Sequence, residues 1–180
     1  MTARTILDER AISSLIDRLV AEIREATPSE RRLMLVGIQR RGDVIARRIA
    51  VGLGGDHATV STGSLDITLY RDDFAQIGTF PLIGTSDIPE DITDSHVIII
   101  DDVLHTGRTI RAALNELADY GRAAKVELCV LVDRGGRQLP IQPDYAGHVV
   151  EVPIGTEVAV RVGELDGEWG VDLVHVETEA

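Results

Sequence analysis

Residues 97–109 read Val-Ile-Ile-Ile-Asp-Asp-Val-Leu-His-Thr-Gly-Arg-Thr. Four β-forming residues lead into two acids, and a loop of small residues then opens a helical stretch. In open α/β sheets, ligands gather where strand ends meet helix starts. Thr106, Gly107 and Thr109 at such a start offer backbone N–H groups and hydroxyls, and the helix dipole adds partial positive charge. That combination cradles a phosphate, and Gly107 lets the backbone approach it closely. Asp101 and Asp102 can accept hydrogen bonds from adjacent sugar hydroxyls, and their charge draws in Mg2+. A plain buried strand followed by exposed acids and a turn would explain each piece singly. Their occurrence in order favours the phosphate site. Gly-Lys-Ser/Thr occurs nowhere in the chain, which argues against a P-loop nucleotidase.

The elements that must hold this loop can be read on either side of it. Residues 8–26 repeat Ile12, Leu15, Ile16, Leu19, Val20 and Ile23 at helical spacing, and Thr27-Pro28-Ser29 ends the run. Leu33–Ile38 reads as a buried strand, followed by the loop Gln39-Arg40-Arg41-Gly42 and a helix over about Asp43–Leu53. Residues 58–70 read as a strand region, with Leu65–Tyr70 alternating apolar and polar. A polar stretch from Arg71 to Ser95 lacks periodicity, which marks a functional or mobile segment. Val97–Ile100 is a β-branched strand. The helix opened at Thr106/Gly107 runs to about Tyr120, with Gly121 at its C-terminal cap. Val126–Val132 is the next strand, and residues 133–180 mix short strands and turns. Strands alternating with helices predict a mainly parallel sheet covered on both faces.

The 180 residues fit one domain. Hydrophobic residues make up 44% and aromatics only 3%, so the core is built from Ile, Leu, Val and Ala. The apolar runs fall far short of the roughly 18 residues of a membrane span, and the N-terminus lacks a signal-type apolar core. Cys129 is the only cysteine, so no intramolecular disulfide forms, and a cytoplasmic location is expected. The net charge of −12 argues against holding DNA or RNA over a broad surface, since that affinity rests on Lys and Arg. A small anion held by a few local Arg and N–H groups remains compatible with it.

The chain resembles the type I phosphoribosyltransferases and, within them, the bifunctional pyrimidine-operon attenuation regulators with uracil phosphoribosyltransferase activity. Beyond Val97–Thr109, the matching stretches are Val36–Gly42, Leu65–Asp73, Asp87–Asp94 and Val130–Ile141. The resemblance covers about residues 5–178. It implies a type I phosphoribosyltransferase fold: a mainly parallel central sheet flanked by helices, with a small hood from about residues 133–180 of a single domain, 1–180. It implies transfer from phosphoribosyl diphosphate (PRPP) to uracil, giving uridine monophosphate (UMP) and diphosphate, with Mg2+ held mainly through PRPP and water. The PRPP loop would be Asp101, Asp102, Val103, Leu104, His105, Thr106, Gly107, Arg108 and Thr109. His105 stands where the family commonly has Tyr. A diphosphate loop maps onto Arg40 and Arg41, where the family's often cis peptide is expected at Arg40–Arg41; a solvated basic turn is the competing reading. A mobile loop follows Tyr70, with Arg71 helping to neutralise the leaving diphosphate and acting with Asp101 and Asp102 in catalysis. Asp72 and Asp73 are weaker candidates. Arg134 and Ile141 would border the base, although a structural ion pair explains Arg134 equally well. Relatives assemble, so a homo-oligomer is expected.

The resemblance departs in one tract. Two positions that are usually basic in this family read Gln142 and His148, and Gln142-Pro-Asp-Tyr145 and Gly147-His-Val149 replace the usual sequences. With the acidic balance, these weaken the footprint for RNA. Two alternatives stand beside the uracil enzyme: a UMP-responsive messenger-RNA attenuator with secondary catalysis, and a purine-type phosphoribosyltransferase.

Overall fold

A computed structural model of the chain describes residues 2–28, 32–54, 60–70, 85–153 and 155–175. In chain order the elements are β1 (Thr2–Leu7), α1 (Glu9–Ala26), β2 (Leu33–Ile38), α2 (Arg41–Leu53), β3 (Val60–Leu65), β4 (His96–Leu104), α3 (Arg108–Leu117), β5 (Lys125–Asp133), β6 (Tyr145–Val149), β7 (Thr156–Arg161), α4 (Gly163–Asp166) and β8 (Gly170–His175).

Five strands form a parallel sheet in the order β3-β2-β4-β5-β6. Both faces are covered. On one, Leu33, Leu35, Ile98, Ile100, Cys129 and Leu131 meet the apolar sides of α1 and α2. On the other, Met34, Val36, Val97, Ile99, Leu128 and Val130 meet Ile110, Ala113 and Leu117 of α3. Successive residues of one strand therefore feed opposite cores, which is why β2 is buried throughout. Helix α1 starts where the Asp8 carboxylate accepts the Ala11 N–H at 2.8 Å, a side-chain cap.

The order of strands reverses between β2 and β4. The chain moves from β2 outward to β3, then returns to place β4 on the other side of β2. A crevice opens at the C-terminal strand ends beside such a reversal. The loop after β2 and the loop after β4 both empty into it.

Three features differ from the sequence-based reading. The strand region expected over residues 58–70 stops at Leu65 and is followed by a 3-10 turn, Ile67–Tyr70. The cause is local: the Asp66 carboxylate accepts the Thr68 N–H at 3.0 Å, and the Asp66 N–H donates to Ser86 Oγ at 2.8 Å. A side chain that binds nearby backbone competes with the ladder. Next, β4 continues past Ile100 to Leu104, because β5 keeps pairing with it as far as Asp133. The acid pair thus sits inside a strand end. Finally, the small second sheet is antiparallel in the order β1-β8-β7. Its first strand comes from the N-terminus, outside the expected 133–180, while Tyr145–Val149 joins the main sheet. Val160, Val162 and Val171 tie this hood to the α1–α2 core.

At the N-terminal edge of the main sheet lies a buried polar group. Glu127 receives His96 Nε2 at 2.6 Å and the Tyr145 hydroxyl at 3.1 Å, and Lys125 reaches its other oxygen.

Candidate active site

Asp101 and Asp102 stand at the centre of the sheet, where β4 runs between β2 and β5. Asp101 Oδ1 accepts the Asp102 N–H at 2.9 Å, and Asp102 Oδ1 accepts the Val103 N–H at 2.8 Å. Burial and the neighbouring charge of Asp102 push the Asp101 carboxyl well above the usual carboxylate range. Burial also raises Asp102, against the pull of its hydrogen bonds and the Arg41 charge. Two acids held in this way are poised to exchange hydrogen bonds with a polyhydroxylated ligand.

The next loop ends at Gly107, whose φ of 91° lies in the left-handed region where L side chains are strained. No side chain caps α3. In its first turn the Arg108 N–H donates to Thr106 Oγ1 at 3.3 Å. A helix start of this kind can hold an anion, and α3 carries the favourable end of its dipole there. Arg108 Nε donates to Gln138 Oε1 at 3.0 Å, so its charge is turned along the loop's flank. Thr109 is exposed.

The loop after β2 reaches the acids through Gly42. A Cβ on Gly42 would lie 2.3 Å from the Ile100 carbonyl oxygen and 3.3 Å from Asp101 Cα, so only glycine lets α2 start this close to β4. The cis peptide is Gln39–Arg40, one bond earlier than the expected Arg40–Arg41. Arg40 is exposed. Arg41 reaches the hood, with Nη2 2.9 and 3.2 Å from the two Asp166 oxygens. Its Nε is buried with no hydrogen-bond partner among the described residues.

A cavity of about 480 Å3 opens between the β4 loop and the hood, lined by Val103, His105, Arg134, Thr156, Glu157 and Val158 among others. Arg134 crosses it to donate to the Thr156 carbonyl at 2.9 Å, leaving its Nε without a partner among the described residues. His105 lies over Gly136, and burial together with the charges of Arg134 and Arg137 lowers its pKa. Ile141 does not line this cavity. It packs against Gly107, where a Cβ would meet Ile141 at 3.3 Å. Arg71, Asp72 and Asp73 lie outside the described residues. A second cavity, about 790 Å3, lies between β1 and the end of β6 and includes His148 but no motif residue.

Sequence reasoning passed over two side chains that this geometry brings forward. Asp166, in the hood, has no motif around it. Arg137 sits inside the quoted Val130–Ile141 stretch but was overshadowed by its neighbour Arg134.

An acid pair at a sheet reversal, a helix start and an arginine-bearing loop thus lie side by side at the crevice of an α/β fold. Residues 2–161 match the model of the phosphoribosyl transferase domain, and the chain belongs to that family. It is 46% identical to the "Bifunctional protein PyrR" of Roseiflexus sp. (strain RS-1), over 98% of this chain and 96% of that one. It is 47% identical to the protein of the same name from Akkermansia muciniphila, over 92% and 93%. In fold it is similar to the hypoxanthine phosphoribosyltransferase of Trypanosoma cruzi, with a TM-score of 0.69 and 16% identity over 97% of both chains. A Staphylococcus aureus hypoxanthine phosphoribosyltransferase gives a TM-score of 0.66 at 21% identity, over 97% of this chain and 93% of that one. No helix among the described residues is long and apolar enough to cross a membrane.

Proposed function

We propose that this chain transfers the phosphoribosyl group of PRPP to uracil, giving UMP and diphosphate, and works as a single domain within a homo-oligomer. The observation that carries this reading is the convergence of the acid pair, the α3 start and the Arg41 loop on one crevice beside a cavity of about 480 Å3. The 5-phosphate sits on the Thr106–Thr109 loop, and Asp101 and Asp102 receive the ribose hydroxyls. The loop at Arg40 and Arg41 takes the diphosphate. Uracil occupies the cavity beside Arg134. The C1–oxygen bond to diphosphate breaks as the C1–N1 bond forms, and N1 loses its proton. Positioning and charge stabilisation of the leaving group supply most of the rate. Arg71 belongs to this reading as a further cation for the diphosphate.

The donor set suits Mg2+ brought in by PRPP. Asp101 and Asp102 would supply hard oxygens of the kind that ion takes. Bound with PRPP, Mg2+ would supply positive charge for the departing diphosphate.

Uracil is favoured over a purine by the stretches Leu65–Asp73 and Val130–Ile141, which resemble the pyrimidine regulators. Attenuation of messenger RNA is weakened in this reading, because Gln142 and His148 replace basic residues on a chain of net charge −12. Steady-state consumption of PRPP with uracil, hypoxanthine, guanine and orotate tests the enzyme. Turnover with none of the four ends the reading. Tight, salt-sensitive, sequence-specific RNA retention on filters that depends on uridine nucleotides would overturn the weakened attenuation.

A further inference from the structure

We infer that Arg137 is a positioning residue that fixes the phosphate loop against the base-site loop, and so sets the distance between the transferred sugar and its acceptor. The inference rests on the phosphoribosyl-transfer reading. The Arg137 guanidinium is largely buried, its side chain 14% exposed, and each of its nitrogens meets a different part of the site. Nη1 donates to the His105 carbonyl at 3.0 Å, within the phosphate loop, and more weakly to the Gly135 carbonyl at 3.5 Å. Nε donates to the Ile141 carbonyl at 2.9 Å, at the far end of the base-site loop. Nη2 binds Asp133 Oδ2 at 2.6 Å, at the end of β5.

The anchor on Asp133 is itself firm. Burial would raise that carboxyl, but the Arg137 and Gly135 hydrogen bonds outweigh it and hold it below the usual carboxylate range. Asp133 Oδ1 accepts the Gly135 N–H at 2.9 Å. The backbone repeats the link: the N–H groups of Gln138 and Leu139 both donate to the Thr106 carbonyl, at 3.0 and 3.1 Å, and Arg134 N–H donates to the Leu104 carbonyl at 3.0 Å. Residues 133–141 and 104–107 therefore form one body, and Arg137 is the side chain at its hub.

That body carries both halves of the reaction. Its phosphate-loop half ends at Gly107 and the start of α3. Its other half carries Arg134 into the base cavity. A planar fork can satisfy several divergent acceptors at once, whereas an ammonium is a point donor on a flexible stem. Arg137 touches no reacting atom in this arrangement, so its effect is on distance and angle. A misplacement of about 1 Å costs roughly a hundredfold in rate.

The test compares Arg137→Gln and Arg137→Lys with the wild type. It uses steady-state kinetics with PRPP, Mg2+ and uracil, calorimetric binding of PRPP with Mg2+, and thermal melting. The expected result is a fall in kcat of roughly tenfold to a hundredfold per folded molecule for both variants, with Lys restoring little. A role confined to stability would lower the melting temperature but leave kcat per folded molecule unchanged in both variants; that result overturns the inference. So does a loss confined to KM for uracil, with kcat and PRPP binding intact, because Arg137 would then serve the base loop alone. If Arg137→Gln does not fold, Arg137→Lys and Asp133→Asn carry the same comparison. Wild-type protein that turns over no base refutes the enzyme reading, whereas active wild type with normal variants refutes the Arg137 role.

Discussion

Glu127→Gln should destabilise the protein strongly at neutral pH while leaving the transfer reaction intact. Glu127 sits at the end of the sheet away from the crevice, only 8% exposed, with His96 Nε2 at 2.6 Å and the Tyr145 hydroxyl at 3.1 Å on the same oxygen. The ionised carboxylate accepts both, so Nε2 carries its hydrogen. An amide turned to offer its NH2 to these donors makes neither bond, and turned the other way it weakens both. A hydrogen bond to a charged group is worth about 1.5–3 kcal/mol, and leaving a buried donor unmet costs about 1–3 kcal/mol. Lys125 adds little, because its side chain is half exposed. The expected loss is therefore about 2–4 kcal/mol, or roughly 4–16 °C of melting temperature at about 2–4 °C per kcal/mol for a chain of this size. The sign of the pH dependence follows from the carboxyl. Burial would raise it, but the hydrogen bonds from Lys125, His96 and Tyr145 prevail and lower its pKa in the folded state. Its stabilising contribution is thus present above the unfolded value and lost as pH falls through the folded one. Melting curves from pH 7 down to about 3.5 should show the gap between wild type and Glu127→Gln narrow on acidification. A gap near zero at pH 7, or one that widens in acid, refutes the reasoning.

Asp101→Asn combined with Asp102→Asn should abolish turnover while the far-ultraviolet circular dichroism spectrum stays that of the wild type; normal activity would refute the site. Gly107→Ala forces a side chain into a φ of 91° and places its Cβ 3.3 Å from Ile141, so it should cost roughly 1–2 kcal/mol in stability and weaken PRPP binding in calorimetry. Asp166→Asn removes the charge that holds Arg41 on the hood. It should change KM for PRPP with little effect on the melting temperature, since the pair is partly solvated and such pairs contribute about 0–1 kcal/mol.

The parts of the site that could be read from sequence are those whose residues are contiguous and whose backbone conformation follows from their types. Val97–Ile100, the two acids and Gly107 lie in one run, and strand, turn and helix start follow from β-branching and glycine. The alternation of strands and helices likewise gave the parallel sheet covered on both faces. The 3-10 turn at Ile67–Tyr70 escaped because Leu65–Tyr70 alternates like a strand. Only the Ser86 partner, twenty residues on, shows that Asp66 has left the ladder. The hood escaped in part because β1 and β8 pair from opposite ends of the chain, a contact that no local pattern encodes. The cis bond fell one residue from its expected place, since the two arginines following Gln39 offer nothing to distinguish one peptide from the next. Arg137 escaped for a different reason: three of its four acceptors are backbone carbonyls, which every residue has.

Strands β4 and β5 treat charge in opposite ways at their two ends. At the N-terminal end, His96 of β4 meets Glu127 of β5 and Tyr145 of β6, so the buried polar atoms answer one another and the network stabilises the fold. At the C-terminal end, β4 presents two carboxyls whose pKa values burial pushes upward, and the neighbouring Arg41 and Arg134 each keep a buried Nε without a partner among the described residues. Burial of unmet polar groups is costly, and at the crevice the fold bears part of that cost. In the proposed reaction, sugar hydroxyls at the acids, diphosphate oxygens at Arg41 and a base carbonyl at Arg134 would relieve it. The same strands therefore carry a self-satisfied end suited to stability and an unsatisfied end suited to the proposed phosphorylated sugar. Substitutions at Glu127 and at Asp101 should accordingly separate the two properties, the first moving the melting temperature and the second the turnover.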